Sequence, residues 1–286
     1  MIAGIELEGK NRMKIKLLAL DMDGTTLKSD HVTVSPANRA AIEAANARGV
    51  FVVTATGRMR HRLPEAIEQT PGLHYAVTCN GASVFDLRRE APLYANPIPL
   101  DTALRVFDAL APFPVFIEIY SGGFDYVERG RIPYIEASGF SESRMKNLLR
   151  GRRTVEDQRE YLLHPAAPVE KFNVPYLPPE HQRAVWEAMR GVEGVALTSS
   201  VAQNIEINAA GTDKGDGLRF LCEYLGVAPD EVMAVGDSRN DLEMLTFAGL
   251  AAAPANADDD IKAVADWVGP SNDDDCVARA IERFLL

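Results

Sequence analysis

Short apolar runs alternate with helical patterns at both ends of this 286-residue chain, and this alternation limits the folds open to it. The N-terminal third carries strand-like runs and helical patterns at 15–20, 36–48, 50–53, 60–70 and 75–78. The C-terminal third repeats the alternation, with such segments at 214–225, 232–235, 241–248, 249–252 and 258–265. Strands separated by helices form βαβ units, so the sequence predicts an α/β fold with a parallel sheet.

The middle of the chain has a different pattern. Prolines are frequent between residues 86 and 208, and the segment 115–120 alternates side chains in a way typical of a strand with one buried face. These features predict an α+β insert with an antiparallel sheet. We therefore expect an interrupted core domain formed by residues 1–85 and 209–286, with residues 86–208 inserted as a second domain.

Composition excludes several classes of protein. The net charge of −11 disfavours nucleic acid as a partner but leaves a small anionic substrate open. No run of about 18 apolar residues is present, so no membrane span is expected. Residues 1–14 are too polar for a signal peptide, which predicts a loose leader and a cytoplasmic location. Three cysteines without paired spacing predict neither disulfides nor a zinc site.

Polar clusters lie at or near the ends of the predicted strands. They occupy residues 21–25, 54–58, 214–215 and 236–241. In an open parallel sheet, ligands bind beyond the carboxyl ends of the strands. We therefore expect these clusters, although far apart in sequence, to meet at one edge of the sheet.

The first cluster contains two carboxylates, Asp21 and Asp23, which would repel each other without a cation between them. Mg²⁺ suits such a pair, because it is bound by one or two carboxylates together with water and phosphate oxygens. Asp237 would add a further carboxylate from another strand. An Asx turn that closes the strand is the alternative interpretation of the first pair.

The second cluster offers groups that bind phosphate. Thr56 and Gly57 can present a hydroxyl and a backbone N–H to phosphate oxygens. A helix cap is the alternative role for Thr56. Thr54 is a nearby competitor, but we expect it to lie within the strand.

The remaining clusters contain Lys214, whose charge could balance carboxylates and phosphate, although a surface lysine is the common alternative. Ser238 and Asp241 match a capping box. That interpretation leaves Asp237 and Asn240 unexplained.

Together these segments resemble the haloacid dehalogenase superfamily, and within it the Cof-type phosphatases that carry a large inserted cap of the C2 type. The matching segments are DMDGTTL (21–27), ATGR (55–58), NGA (80–82), DKG (213–215) and GDSRND (236–241). The resemblance implies a three-layer, Rossmann-like core with an α+β cap. One departure is APANA (253–257), where relatives usually carry Met-Gly before Asn-Ala, and there we expect only a local loop difference.

The resemblance also implies roles for individual residues. Asp21 would be the nucleophile and a Mg²⁺ ligand. Asp23 would be the general acid and then the base, would bind Mg²⁺ through its backbone carbonyl, and should have a raised pKa in the substrate complex. The phosphate would be held by Thr56, Gly57, Lys214 and Asn240. The metal would also be bound by Asp237, with Asp241 as a further ligand or as support.

The sequence thus predicts a Mg²⁺-dependent phosphatase that acts on a small phosphorylated metabolite, such as a sugar phosphate, through an aspartyl-phosphate. The insert would act as a lid that selects the substrate, and Arg150, Arg152 and Arg153 would form either an anion grip or a solvated patch. We expect a monomer or homodimer. Two alternatives stay open: a phosphomutase of the phosphomannomutase type, and a non-catalytic phospholigand-binding protein.

Overall fold

The computed structural model describes residues 15–89 and 91–286, so the predicted leader at residues 1–14 lies outside the described residues. The strands are β1 (Leu17–Asp21), β2 (Phe51–Ala55), β3 (Leu73–Thr78), β4 (Ser83–Asp86), β5 (Tyr94–Ala95), β6 (Glu118–Ser121), β7 (Phe124–Glu128), β8 (Arg153–Val155), β9 (Val169–Val174), β10 (Val195–Thr198), β11 (Ile205–Ala209), β12 (Val232–Val235), β13 (Leu250–Ala253) and β14 (Trp267–Val268). The α-helices are α1 (Pro36–Ala47), α2 (Glu65–Glu68), α3 (Leu100–Leu110), α4 (Ile132–Glu136), α5 (Glu142–Leu149), α6 (Gln158–Leu163), α7 (Pro179–Arg190), α8 (Lys214–Leu225), α9 (Leu242–Phe247), α10 (Asp259–Val264) and α11 (Cys276–Phe284).

The larger sheet has the strand order β14-β13-β12-β1-β2-β3-β4-β5. Its strands are parallel from β14 to β3, and β4 and β5 are antiparallel additions at one edge. Leu18 of β1 packs in the same apolar cluster as Ile281 of α11, whereas Leu17 packs on the other face with Leu221 of α8. Helices cover both faces of a parallel sheet, which confirms the predicted three-layer α/β core.

The smaller sheet has the order β10-β11-β9-β6-β7-β8 and is antiparallel except for the β7–β8 pair. One face packs against helices, with Ile119 and Phe172 in the same cluster as Val106 of α3 and Val185 of α7. Other side chains of this sheet are polar and buried, such as Lys171 and Glu206, and these contact Gly57 and Asn80 in loops of the core. This arrangement confirms an α+β cap, and the boundaries at residues 86 and 208 stay a prediction.

The predicted helix over residues 60–70 is wrong. The structure has a 3₁₀ turn at Arg60–Arg62 and a single helical turn, α2. Pro64 separates them, because proline lacks a backbone N–H and disfavours helical backbone at the residue before it. Leu63 is accordingly extended, with φ −63° and ψ 133°.

Smaller differences occur at other predicted boundaries. A 3₁₀ turn at Arg239–Asp241 precedes α9, which starts one residue later than predicted. Strand β2 extends to residue 55, so Thr54 lies inside the strand, as predicted. In the part of the chain that the structure describes, no helix has both the length and the apolar character needed to cross a bilayer.

Candidate active site

The predicted site residues come together at the carboxyl edge of the larger sheet. Strand β1 lies between β2 and β12, and it ends at Asp21. Thr56 directly follows β2, and Asp237 lies just beyond β12. Lys214 is the first residue of α8, whose N-cap, Asp213, accepts a hydrogen bond from the backbone N–H of residue 216. The parallel register therefore brings together residues more than two hundred positions apart.

Lys214 bridges two carboxylates in this site. Its Nζ donates to Oδ1 of Asp21 and to Oδ1 of Asp241, each at 2.6 Å. The side chain is completely buried. Burial alone would lower the pKa of Lys214, but the two carboxylates outweigh that effect and raise it, so the ammonium group stays charged. The surface alternative for Lys214 is wrong.

Three carboxylates share this small volume. One oxygen each from Asp21, Asp237 and Asp241 lies within 4.8 Å of the other two. Burial, and then the charges of Asp241 and Asp237, raise the pKa of Asp21 well above its usual range. Burial and the charge of Asp241 raise the pKa of Asp237 to about 7. One lysine therefore does not neutralise the group.

The donor set fits a hard divalent cation. Oδ2 of Asp21 is buried and has no hydrogen-bond partner among the described residues, and Asp237 lies beside it. Carboxylate oxygens with excess negative charge are the ligands that Mg²⁺ prefers. Asp241 differs from the other two, because its Oδ2 accepts from the backbone N–H groups of Asp237 (2.9 Å) and Ser238 (3.1 Å).

A tight turn after β1 brings the first cluster against Asp237. Gly24 has φ +81°, and a Cβ there would lie 2.5 Å from Oδ2 of Asp237. Thr25 Oγ1 donates to Oδ1 of Asp237 at 2.8 Å, and Thr26 Oγ1 donates to the backbone O of Asp21 at 2.5 Å. The Asp21 side chain makes no cap hydrogen bond to the turn, so the Asx-turn alternative does not describe it.

Asp23 forms an ion pair with Arg58. Arg58 Nε donates to Oδ2 at 2.8 Å and Nη2 donates to Oδ1 at 2.5 Å, while Nδ1 of His31 lies 2.9 Å from Oδ1. Burial would raise the pKa of Asp23, but His31 and Arg58 together lower it to about 2. The raised pKa expected for the substrate complex stays a prediction.

The predicted phosphate-binding residues form a compact group. Oγ1 of Thr56 accepts from the backbone N–H of Arg58 at 3.1 Å, and no helix starts at Thr56, so the cap alternative is wrong. A Cβ on Gly57 would lie 2.9 Å from Oδ1 of Asn80. Asn240 Nδ2 donates to the same Oδ1 at 3.2 Å. Backbone and amide groups therefore converge beside Thr56 and Gly57.

Residues 253–257, where the sequence departs from the pattern of the resembled family, still contact the site. Asn256 Nδ2 donates to the backbone O of Gly24 at 2.8 Å, and Asn256 Oδ1 accepts from the backbone N–H of Asn272 at 2.9 Å. This loop therefore supports the turn that contains Gly24.

A cleft of about 1010 Å³ opens between the core and the smaller sheet. The core wall includes His31, Arg58 and Arg62, and the other wall includes Tyr120 and Asp125. Arg58 and His31 also contact Asp23, so the cleft lies next to that carboxylate.

The three arginines at residues 150–153 do not act as one patch. Arg150 lines the cleft. Arg152 is buried and pairs with Glu118 and with Asp125, and Arg153 stacks on Phe124 with its guanidinium 3.4 Å from the ring centroid. The solvated-patch interpretation is therefore wrong for Arg152.

Several residues that contact the site could not be assigned a role from the sequence. Arg58 and Asn80 lie inside the family-like segments ATGR and NGA, but the pattern gives neither a role. Lys171 and Glu206 had no signal, because their strands mix polar and apolar residues, VEKFNV in β9 and IEINA in β11, a pattern typical of a strand with one solvated face.

Comparison with known proteins defines the class of this chain. The sequence profile of the haloacid dehalogenase-like hydrolase family matches residues 18–281. The chain therefore belongs to that family, as the resemblance predicted.

Two of the similar proteins are named phosphatases. The chain is 31% identical over 276 residues to the 5-amino-6-(5-phospho-D-ribitylamino)uracil phosphatase YcsE of Bacillus subtilis (strain 168), covering 95% of this chain and 96% of the relative. It is 27% identical over 281 residues to the pyridoxal phosphate phosphatase YbhA of Escherichia coli (strain K12), covering 96% of this chain and 100% of the relative. A solved structure of a haloacid dehalogenase-like hydrolase from B. subtilis superposes with a TM-score of 0.84 at 27% identity. The match covers 95% of this chain and 100% of the solved chain. The family match and these relatives confirm the prediction of a hydrolase that acts on phosphomonoesters.

Proposed function

We propose that this enzyme hydrolyses a small phosphorylated metabolite in a Mg²⁺-dependent reaction, by transferring the phosphoryl group first to Asp21 and then to water. The proposal rests on the different surroundings of the two carboxylate oxygens of Asp21. Lys214 holds its Oδ1 at 2.6 Å, while its Oδ2 is buried and has no hydrogen-bond partner among the described residues. Lys214 thus holds the carboxylate in one orientation, and the carboxylate keeps an oxygen without a hydrogen bond, as expected of a nucleophile that also binds Mg²⁺.

In the first step, a bond forms between a carboxylate oxygen of Asp21 and phosphorus as the bond to the leaving oxygen breaks. Asp23 gives its proton to that oxygen. In the second step, Asp23 takes a proton from water, the water oxygen bonds to phosphorus, and the bond from phosphorus to Asp21 breaks. Free Asp21 and inorganic phosphate result.

Asp23 must be protonated for the first step, yet His31 and Arg58 keep its pKa near 2. A phosphate dianion beside it would oppose this effect by charge repulsion and by competing for Arg58. We infer that substrate binding itself raises the pKa of Asp23. The carboxylate would return to Arg58 after phosphate leaves.

Asp21, Asp237 and the backbone carbonyl of Asp23 would hold Mg²⁺, and Asp241 would support them through Lys214 and the turn at Asp237. When bound, Mg²⁺ supplies positive charge that offsets the phosphate and the carboxylates. Thr56, Gly57, Asn240 and Lys214 would hold the phosphate oxygens.

The leaving group would occupy the cleft beside Asp23, because the acid must reach the leaving oxygen. A volume of about 1010 Å³ suits a metabolite-sized group. Relatives named for an aminouracil ribityl phosphate and for pyridoxal phosphate support a substrate of this size. The cap would select the leaving group. A cytoplasmic location and a monomeric or homodimeric state stay predictions.

The test is a phosphate-release assay with p-nitrophenyl phosphate and a panel of phosphorylated metabolites. We expect the wild-type chain to turn over in plain buffer with Mg²⁺, to lose activity in EDTA, and to recover it when Mg²⁺ is restored. Asp21→Asn should be inactive with an unchanged circular dichroism spectrum. Activity that requires an added sugar bisphosphate would favour a mutase, and binding without turnover would favour a non-catalytic protein.

A further inference from the structure

A buried ion pair of the cap contacts the loop that carries the predicted phosphate-binding residues. Lys171 lies on β9 and Glu206 on β11, and Lys171 Nζ lies 2.8 Å from Oε2 of Glu206. Nζ also donates to the backbone O of Gly57 at 2.6 Å. Both side chains are at most 5% exposed. The pair therefore joins the cap to the core at a buried position.

Glu206 has partners for both of its oxygens. Oε2 also accepts from Nδ2 of Asn80 at 2.6 Å, and Oε1 accepts from Ser200 Oγ at 2.7 Å and from Asn204 Nδ2 at 3.1 Å. Burial would raise the pKa of Glu206, but Lys171 and these hydrogen bonds lower it to about 2. Both oxygens of Glu206 accept hydrogen bonds and the Lys171 side chain donates two, an arrangement in which buried polar groups hold a fixed geometry.

The core segment that this pair contacts has an unusual backbone. Cys79 and Asn80 have φ of +50° and +55°, a region that residues other than glycine rarely adopt. The cap contacts both residues, through Glu206 on the Asn80 side chain and through Asn208, whose Nδ2 donates to the backbone O of Cys79 at 2.8 Å. Such backbone persists where surrounding contacts determine it, and here the cap supplies part of them.

The strained segment leads directly to the predicted phosphate site. Oδ1 of Asn80 accepts from Asn240 at 3.2 Å, and the backbone N–H of Asn80 donates to the backbone O of Thr56 at 3.0 Å. Gly57 lies between this segment and the ion pair, since an added Cβ would lie 2.9 Å from Asn80 and 3.1 Å from Glu206. The positions of Thr56, Gly57 and Asn240 therefore depend on cap residues.

We infer that Lys171 and Glu206 are positioning residues that set the affinity of the site for the phosphoryl group, and that they act equally on all substrates. This inference rests on the proposed function only in its identification of the phosphate site. Neither residue lines the cleft beside Asp23, and Lys171 approaches it only through Tyr120, whose ring centroid lies 4.8 Å from Nζ, so neither would contact a leaving group directly. The cap would thus have two separable tasks, to select the leaving group at the cleft and to hold the phosphate-binding loop at this pair.

The test compares Lys171→Met and Glu206→Gln with the wild-type chain, using binding of inorganic phosphate in the presence of Mg²⁺ by calorimetry. We expect the dissociation constant to rise about tenfold or more, as loss of one charge-assisted hydrogen bond implies. The kcat/KM values of several phosphomonoesters should fall by one common factor. Lys171→Arg should recover part of the loss, since it keeps the charge and the donors.

Glu118→Gln is the matched control. It neutralises another buried cap carboxylate, whose partners among the described residues, Arg152, Asn173 and Tyr120, all belong to the cap. Its phosphate affinity should stay within about twofold of wild type. An unchanged phosphate affinity in Lys171→Met and Glu206→Gln would overturn the inference, as would losses of kcat/KM that differ between leaving groups. Phosphate binding does not require turnover, so the comparison decides the inference even for a chain that hydrolyses no ester.

Discussion

Arg58 holds Asp23 through two side-chain hydrogen bonds, at 2.8 Å from Nε to Oδ2 and at 2.5 Å from Nη2 to Oδ1. Asp21, two residues earlier, is held instead by Lys214. The two carboxylates of the same segment therefore have different environments, and their pKa values move in opposite directions. These directions are opposite to the ones that a nucleophile and a proton donor need, so the proposed roles require bound Mg²⁺ at Asp21 and bound phosphate at Asp23 to reverse them.

The first prediction concerns Asp23 as the proton donor. Asp23→Asn should lower kcat/KM for alkyl phosphates by about 10²- to 10⁴-fold, because the alkoxide leaving group needs a proton. With p-nitrophenyl phosphate, whose leaving group departs as an anion, the same variant should release a burst of nitrophenolate close to one per active site. Stopped-flow absorbance measures the burst. Equal losses for both substrate types, without a burst, would contradict this role.

The second prediction concerns Gly24. Gly24→Ala places a Cβ 2.5 Å from Oδ2 of Asp237, so the carboxylate must move. We expect activity at saturating substrate to fall about tenfold or more and the Mg²⁺ requirement to rise. Gly49→Ala is the control, because Gly49 has φ +82° but no atom of the described residues lies within 4 Å of an added Cβ. Both variants share the backbone strain of about 1 kcal/mol, so similar Mg²⁺ titrations would refute a special role for Gly24.

The third prediction concerns Lys214 and stability. Lys214→Met leaves the buried carboxylates of Asp21 and Asp241 without their shared cation. We expect the free energy of unfolding, measured in urea without Mg²⁺, to fall by about 3–5 kcal/mol. Lys16→Met removes a partly exposed pair with Glu231 and should cost less than about 1 kcal/mol. A loss at Lys214 no larger than that at Lys16 would show that the buried bridge is not formed.

The fourth prediction concerns Mg²⁺ and pH. The pKa of Asp237 is raised to about 7 in the folded protein, whereas its ordinary value is 3.8. The folded state thus binds the proton more tightly, and stability falls as pH rises between those values. Mg²⁺ binds the ionised form of Asp237. The increase in the Tm of the protein that Mg²⁺ produces should therefore be larger at about pH 8 than at about pH 5.

Asp237→Asn separates this effect from general pH dependence. The variant should lose most of the Mg²⁺-induced increase in Tm at about pH 8, while its Tm without Mg²⁺ should rise there relative to wild type. Differential scanning fluorimetry at both pH values measures this. An increase in Tm that is equal at the two pH values would contradict the assignment of Asp237 to the metal.

The parallel core could be predicted because its signals are local. Each strand is a short apolar run, and the polar clusters that follow β1, β2 and β12 identify the edge where Asp21, Thr56 and Asp237 meet. The helix predicted over residues 60–70 failed because Pro64 breaks a pattern that is otherwise helical. The carboxyl ends of parallel strands share one edge of the sheet, so residues that follow such strands can be predicted to meet there. The cap sheet is mostly antiparallel, and the same argument does not apply to it.

The contacts between cap and core could not be predicted. Lys171 and Glu206 are buried charges in strands whose pattern indicates only which face is apolar. Their partners Gly57 and Asn80 are more than a hundred positions away. The Arg58–Asp23 pair was missed for a related reason, because ATGR indicates a phosphate loop and not the direction of its arginine. Side-chain direction across such distances depends on tertiary packing.

The most direct test of the whole account is to identify the residue that carries the phosphoryl group. The Asp23→Asn variant is mixed with p-nitrophenyl phosphate and Mg²⁺, quenched in acid during the burst, and reduced with borohydride, which converts an acyl phosphate to an alcohol. Mass spectrometry of the digested protein should then place the reduced side chain at Asp21. Reduction at any other residue, or an unmodified Asp21 peptide when one equivalent of nitrophenolate has been released, would contradict the proposed transfer of the phosphoryl group to Asp21.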